Sequence, residues 1–319
     1  MTDTACFVQF PHPGAEHRFA GDEMPWNVGR HGRKFLVAPG QYVDGDDQRR
    51  EGEMVFWAEW EPPSRVERRW PDEDDLPRAL HRPYWTRPPR SWPRQNTDPW
   101  VFGERMIYSN CKQTAGTPRR RTAMQSLPLG SLICFGSTRH DRFRVDTVFV
   151  VAGAQPWTPG RTEGLNVDEA FIVCTAQSLT PTAVNAGRAG CNPVCPPDIE
   201  LQLTFYRGAT IDNPVHGMYS FVPARPIGHP QLRFQRAAVY MPGLINPAVV
   251  MNPWGARRPL RIADVHEAWM SLRNQVFGQD LVLATYLATP PSVSANESIA
   301  ATPRTSCRSR DSGGRDRLP

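Results

Sequence analysis

Between Arg78 and Arg94 the chain sets Arg78, Arg82, Arg87, Arg90 and Arg94 among Tyr84, Trp85 and Trp92. Guanidinium groups pair bidentately with phosphates, and aromatic rings offer stacking faces to unpaired bases. The same residues also fit a Pro-stiffened clamp whose rings pack back onto the body of the protein. A second set, Trp26, Asn27, His31 and Lys34, lies close to turn signals. An Asn can read the Watson–Crick edge of an extruded base while a Trp stacks on it. Tyr108, Asn110 and Lys112 repeat those types. Each residue also has a structural reading: Trp26 as a lid on the core, Asn27 and Asn110 as turn residues. The Arg119-Arg120-Arg121 run adds positive surface, which a solvated face explains equally well.

Other chemistries find less support. Cys191 and Cys195 have metal-like spacing, but a zinc site needs a second pair of ligands, and the chain has no second close Cys pair. His12 and His17 flank Glu16 at a spacing that fixes no familiar geometry. There is no Gly-rich phosphate loop, no Gly-x-Ser-x-Gly elbow and no His-Glu-x-x-His pair. No cofactor and no metal are expected from these patterns.

The elements that must position these residues are mostly strands. Cys6–Phe10, Lys34–Val37 and Glu53–Glu61 are rich in β-branched and aromatic residues, with Pro39-Gly40 between the last two as a turn. In the third run, alternation puts Trp57, Glu59 and Glu61 on one face and Ala58 and Trp60 on the other. Ser64–Arg68 fits a short partner strand. From Trp70 to Pro99, prolines at 71, 77, 83, 88, 89, 93 and 99 exclude a helix and any central strand, so no core element is expected there. A short helix follows Asn166 or Asp168 as its cap, and strands are expected at Leu201–Tyr206 and Met218–Val222. Ile262, Val265, Trp269, Leu272 and Val276 recur at helical spacing, predicting an amphipathic helix over Arg261–Phe277. Leu281–Leu287 fits a closing strand or a helix turn. Gly187–Pro197 reads as a surface insertion, and residues 291–319 as a disordered tail.

A family resemblance rests on residues 98–152. Gly130-Ser131-Leu132-Ile133-Cys134-Phe135-Gly136-Ser137, followed by Val145-Asp146-Thr147-Val148-Phe149-Val150-Val151, resembles the paired strands of small barrel domains of the PUA, ASCH and EVE kind. Trp100–Phe102 and Cys111-Lys112 resemble phage and bacterial nucleotide-modification-associated domains of that group. The resemblance implies recognition of a nucleobase or a nucleic-acid strand. Separately, Tyr206-Arg207-Gly208 resembles the strand-borne Arg of ADP-ribosyltransferases, with Ser220 standing for their serine, but no Glu lies on a later apolar strand.

Composition bounds these readings. The 319 residues, 39% hydrophobic and 22% charged, suit one large or two ordinary soluble domains. The net charge of +5 suggests an anionic partner. Lys34 and Lys112 are the only lysines, a bias that a GC-rich genome accounts for without selection for phosphate. No apolar run is long enough to span a bilayer, and Met1–Cys6 has no basic start or apolar core, so a cytoplasmic address is expected.

The expected architecture is α+β and mostly antiparallel: a PUA-like barrel over residues 5–154, added strands and one amphipathic C-terminal helix over 155–290 that either continue the same core or stand apart from it, and the tail over 291–319. The expected function is a binding module for a nucleobase or single-stranded nucleic acid, in modified form or not. Its candidate residues are Trp26, Asn27, His31, Lys34, Arg82, Tyr84, Trp85, Arg87, Arg90, Trp92, Tyr108, Asn110 and Lys112. The alternatives are an ADP-ribosyltransferase-like enzyme using Arg207 and a protein-interaction domain.

Overall fold

A computed structural model describes residues 3–12, 14–88, 95–115, 120–179, 202–249 and 254–294. Strands account for 42% of the chain and helices for 12%, so the fold is strand-dominated, as expected. Cys191, Cys195 and the expected insertion lie outside the described residues, as do Arg90, Trp92 and Arg119.

The first sheet runs in the order β15 (Pro259–Arg261), β1 (Thr4–Pro11), β10 (Leu132–Arg139), β11 (Arg142–Trp157), β12 (Leu203–Gly208) and β7 (Ile107–Tyr108), with β14 (Ala237–Val239) also on β11. Period-2 alternation buries both of its faces. On β1, Cys6, Val8 and Phe10 enter one apolar cluster, while Ala5 and Phe7 enter another. Ile133 and Phe135 of β10 join the first, and Leu132 and Cys134 the second. A strand covered on both sides reads as a continuous apolar run rather than a clean alternation. The β1–β10 pair is parallel and the β10–β11 pair antiparallel.

The second sheet contains a closed ring. β3 (Lys34–Val43) pairs with β4 (Arg49–Ala58), β4 with β13 (Val222–Pro226), β13 with β16 (Val282–Leu287), and β16 with β3 again. The closing strand expected at the C-terminal side is thus β16. The expected turn at Pro39-Gly40 is instead the middle of β3, with Pro39 opposite Glu53. Gly40 permits this closure: a Cβ there would stand 2.0 Å from the Tyr286 carbonyl oxygen.

From β3 the sheet continues through β6 (Ala79–Pro83), β5 (Ser64–Arg69) and β2 (Glu23–Met24). β6 overturns the expectation that Trp70–Pro99 holds no core element. It lies between β3 and β5, with Ala79, Leu80 and His81 buried. The proline argument misses it because Pro83 is the last residue of the strand, opposite Ser64, where a missing N–H costs least.

Both predicted helices form. Asp168 caps α1 (Glu169–Cys174) through its side chain to the Phe171 N–H. α2 (Ile262–Phe277) buries Val265, Trp269, Leu272 and Val276 of the predicted stripe, while Ile262 in its first turn is partly buried. The expected boundary at 154–155 falls inside β11, and the ring takes two strands from each side of it. At the start of the expected tail, Pro291 and Val293 exchange backbone hydrogen bonds with Trp85, so the ordered chain continues past Pro290. No helix among the described residues is long and apolar enough to cross a membrane.

Candidate functional site

The alternation read at residues 57–61 has a consequence beyond packing. Trp60 turns into the aromatic core against Trp100 and Phe102, with ring centroids 5.8 and 5.2 Å away. Glu59 and Glu61 point the other way, and both are buried. Two carboxylates at such positions need partners, because desolvating a charge is expensive. The partners come from residues 12–17, from residues 27–33 and from the Asp98 N–H.

Arg33 stands one step beyond the Lys34–Ala58 pair of the β3–β4 ladder, which places it beside Glu59. Its Nη1 donates to Glu59 Oε2 at 2.8 Å and its Nε to Asp146 Oδ2 at 2.7 Å. Asp146 reaches it through a β-bulge: Phe135 pairs with Thr147 and Gly136 with Val145, leaving Asp146 as the extra residue. Such a bulge re-aims a side chain. It also brings the strands so close that a Cβ on Gly136 would stand 2.2 Å from the Arg144 carbonyl oxygen.

Residues 15–17 lie along Arg33, since the Arg33 N–H donates to Ala15 O and the His17 N–H to Arg33 O. This strap carries His12 and His17 to the two glutamates. His12 Nδ1 lies 2.9 Å from Glu59 Oε2, and His17 Nε2 lies 3.7 Å from Glu61 Oε2. The Asn27 amide donates to Glu61 and, at 2.9 Å, to the Arg30 carbonyl. His31 Nδ1 stands between the carboxylates, 2.9 Å from Glu61 Oε1 and 3.2 Å from Glu59 Oε1. The His31 side chain is 24% exposed while those of Glu59 and Glu61 are 1% and 0%, so solvent reaches the cluster past His31.

The electrostatics follow from burial and these neighbours. Burial raises the Glu59 carboxyl, but His31 and His12 outweigh it and hold the group well below the usual range. Burial lowers His12, and Arg33 adds to that, so its imidazole favours the neutral form. Asp98, whose N–H lies 3.4 Å from Glu59 Oε1, is raised to about 6 by burial, against three backbone N–H donors from Ser109, Asn110 and Cys111. Burial lowers Lys34 to about 7, although Glu61 opposes the shift.

His31, Glu59 and Glu61 each offer a ligand atom within 4.8 Å of the others. One imidazole and two carboxylates form a donor set for a divalent cation of hard or borderline character. Without a metal, the same groups can exchange a proton between imidazole and carboxylate.

Of the residues singled out by sequence, the structure brings Asn27 and His31 together here. Lys34 lies behind them, its Nζ donating to the Pro62 carbonyl at 3.0 Å. The others lie elsewhere. Trp26 donates to Thr86 Oγ1, and Trp26, Tyr84 and Trp85 are buried. Arg82 is held by Glu53 and Glu67, and Arg87 by Glu169. Tyr108 stacks on Tyr206 in the core, with ring centroids 5.6 Å apart. The Asn110 N–H donates to Asp98, and Lys112 Nζ donates to Pro11 O above the Phe10 ring. Arg207 donates to Gln155 and to the Leu165 carbonyl, while Ser220 Oγ accepts the Val150 N–H.

Sequence reasoning missed His12, His17, Arg33, Glu59, Glu61 and Asp146 as a group. One signal was present: an acid amid the apolar run Val145–Val151, and two more closing the run Met54–Trp60, are expensive unless paired.

Beside the cluster runs a cleft of about 500 Å³, walled by His17, Arg18, Phe19, Arg69, Trp70 and His81 among others. His17 is common to cleft and cluster. Phe19 is 38% exposed, whereas Trp70 already has Arg68 and Arg233 over its ring. His81 Nε2 is buried without a hydrogen-bond partner, and burial lowers the imidazole to about 3. Compared with known protein families, with curated proteins and with solved structures, the chain matches none.

Proposed function

We propose that the protein binds a nucleotide or a single nucleic-acid strand in the cleft beside His17, with the His–carboxylate cluster as the centre behind it. The observation that carries this reading is the double position of His17, on the cleft wall and beside Glu61. The cleft has room for about one nucleotide. It offers an exposed ring in Phe19 and a guanidinium group in Arg18, which suit a base and a phosphate, while Arg69 holds the Phe19 and Gly21 carbonyls. The PUA-like resemblance of residues 98–152 points to the same ligand class and is carried as part of this proposal. Calorimetric titration with nucleoside monophosphates and short single strands of DNA and RNA, at two salt concentrations, tests it. Binding should weaken with salt by a log–log slope of about −0.7 per phosphate neutralised on a strand, and Phe19→Ala should cost about 1–3 kcal/mol. No salt-dependent binding of any of them defeats the reading.

A second reading is favoured by the convergence of His31, Glu59 and Glu61. In it the cluster holds a divalent cation, which would polarise a phosphoryl or carbonyl oxygen of the bound molecule. Titration with Mn²⁺ should show one site that Glu61→Gln abolishes. Equal Mn²⁺ affinity in wild type and variant leaves only proton transfer for the cluster.

A further inference from the structure

Gly14, Ala15, Glu16 and Arg18 of the strap also line a small cavity of about 100 Å³. Arg18, Arg78, Arg139, Arg144 and Arg236 line it, against only two acids, Glu16 and Asp75. Both acids are already engaged. Asp75 faces Arg139, His140 and Arg144, while Glu16 accepts the backbone N–H and a guanidinium N–H of Arg78. Outside the lining, Asp72 lies 2.6 Å from Arg78 Nη2 and Asp146 lies 3.6 Å from Arg236 Nη1, so four acids meet five guanidinium groups and a small positive excess is left around a partly open space.

Two of these guanidinium groups have an unused donor. The Nε atoms of Arg144 and Arg78 are buried without a hydrogen-bond partner, and Arg144 as a residue is only 8% exposed. A buried N–H on a charged group, left unpaired, costs more than a neutral one. Arg144 has no freedom to swing out, because its Nη1 donates to the Arg236 carbonyl at 3.1 Å and its Nη2 to Asp75. Arg236 is fixed in turn by Ser137 Oγ at 2.7 Å and Gly14 O at 2.8 Å. Gly14 keeps the space open: a Cβ there would lie 2.4 Å from Ser137 Oγ and 3.0 Å from Arg236 Nη2. Burial lowers both Arg144 and Arg236, and in Arg144 the neighbouring Arg139 and Arg142 add to it, as expected of cations crowded together.

We infer that this cavity is a binding site for a tetrahedral oxyanion, a phosphate or the terminal phosphoryl group of a phosphate ester. Guanidinium groups arriving from several directions suit a compact dianion whose oxygens diverge. A planar carboxylate would leave some of the donors unmet. The site shares Arg18 and Arg78 with the larger cleft. It therefore deepens the nucleotide reading by assigning the phosphate, and in that respect rests on it. A free phosphate is nevertheless a sufficient ligand.

Thermal melts and calorimetry of the full chain with inorganic phosphate, against chloride at matched ionic strength, test the inference. Phosphate should bind saturably and raise Tm. Arg144→Lys, which keeps the charge but loses Nε, should weaken binding at least tenfold. The doubly substituted Arg18→Gln, Arg139→Gln changes only exposed side chains and should do the same if Arg144→Lys fails to fold. Arg50→Gln, on an exposed pair with Asp44, serves as the unaffected control. A phosphate effect no greater than that of chloride, or one unchanged in the Arg18/Arg139 variant, overturns the site. A nucleoside monophosphate and phosphate should compete. If phosphate binds as described and no nucleotide does, the pocket stands while the nucleotide reading falls. If a nucleotide binds and phosphate never displaces it, the pocket is wrong and the cleft remains.

Discussion

Residues 58–61 expose two opposite solutions on the two sides of one stretch of chain. On one side Ala58 and Trp60 enter a dry cluster where indole and phenyl rings meet edge to face. On the other, Glu59 and Glu61 enter an equally buried cluster of imidazole, guanidinium and carboxylate. The aromatic side gains from every atom removed from water. The charged side gains little net, because a buried ion pair must first repay its desolvation. A protein retains such a pair at a cost in stability, which is the pattern of a site kept for binding or chemistry.

The comparison can be broken at several points. The largest effect expected is in pH dependence. The folded chain holds Lys34 at about 7 against 10.5 unfolded, so the unfolded state binds the extra proton between those values. Stability should therefore rise as pH goes from 7 to 10.5, by up to about 5 kcal/mol at 1.36 kcal/mol per unit. Lys34→Met should flatten that rise in denaturant melts, and an unchanged slope would show that the charged side carries no such penalty. Next come the single truncations. Arg33→Met removes the guanidinium shared by Glu59 and Asp146 and should cost about 3–5 kcal/mol, and Trp60→Ala should cost a similar amount for a different reason, an aromatic cavity. The two sides separate when both partners are replaced. Arg33→Met with Glu59→Leu and Asp146→Leu should recover most of the loss, whereas no second change near Trp60 refills its volume. A triple variant as unstable as Arg33→Met alone would refute the contrast. At the edge of the fold, Asp168→Ala should cost about 1 kcal/mol through the lost cap of α1. Arg87→Gln should change stability by less than about 1 kcal/mol, because its pair with Glu169 is exposed.

The legible parts of the molecule were those set by near neighbours in sequence. The α2 stripe, the Asp168 cap and the opposed faces of Trp60 and Glu59 all follow from periodicity within about a dozen residues. β6 is hidden because prolines recur throughout the surrounding thirty residues, while the strand itself occupies five residues and ends on one of them. The cluster was hidden for a different reason. His12, Arg33, Glu59 and Asp146 meet only when β1 lies parallel to β10, β3 pairs with β4, and a bulge turns Asp146 inward. None of those registers is written in local spacing. Tyr84 and Trp85 carried the right chemistry for stacking, but their rings are spent on the core.

The four-stranded ring has a consequence for how the chain comes to be folded. β3 and β4 are made early, yet the strands that close the ring on them lie at Val222–Pro226 and Val282–Leu287. During synthesis the hairpin must wait, with the outer edge of β4 and the Gly40–Val43 half of β3 unpaired, until residue 287 has left the ribosome. At about 5–20 residues per second, that wait lasts on the order of ten seconds to a minute. Contacts this distant in sequence make ring closure a late and slow step. An open strand edge in the interval is a surface on which a chaperone, or a second nascent chain, can settle.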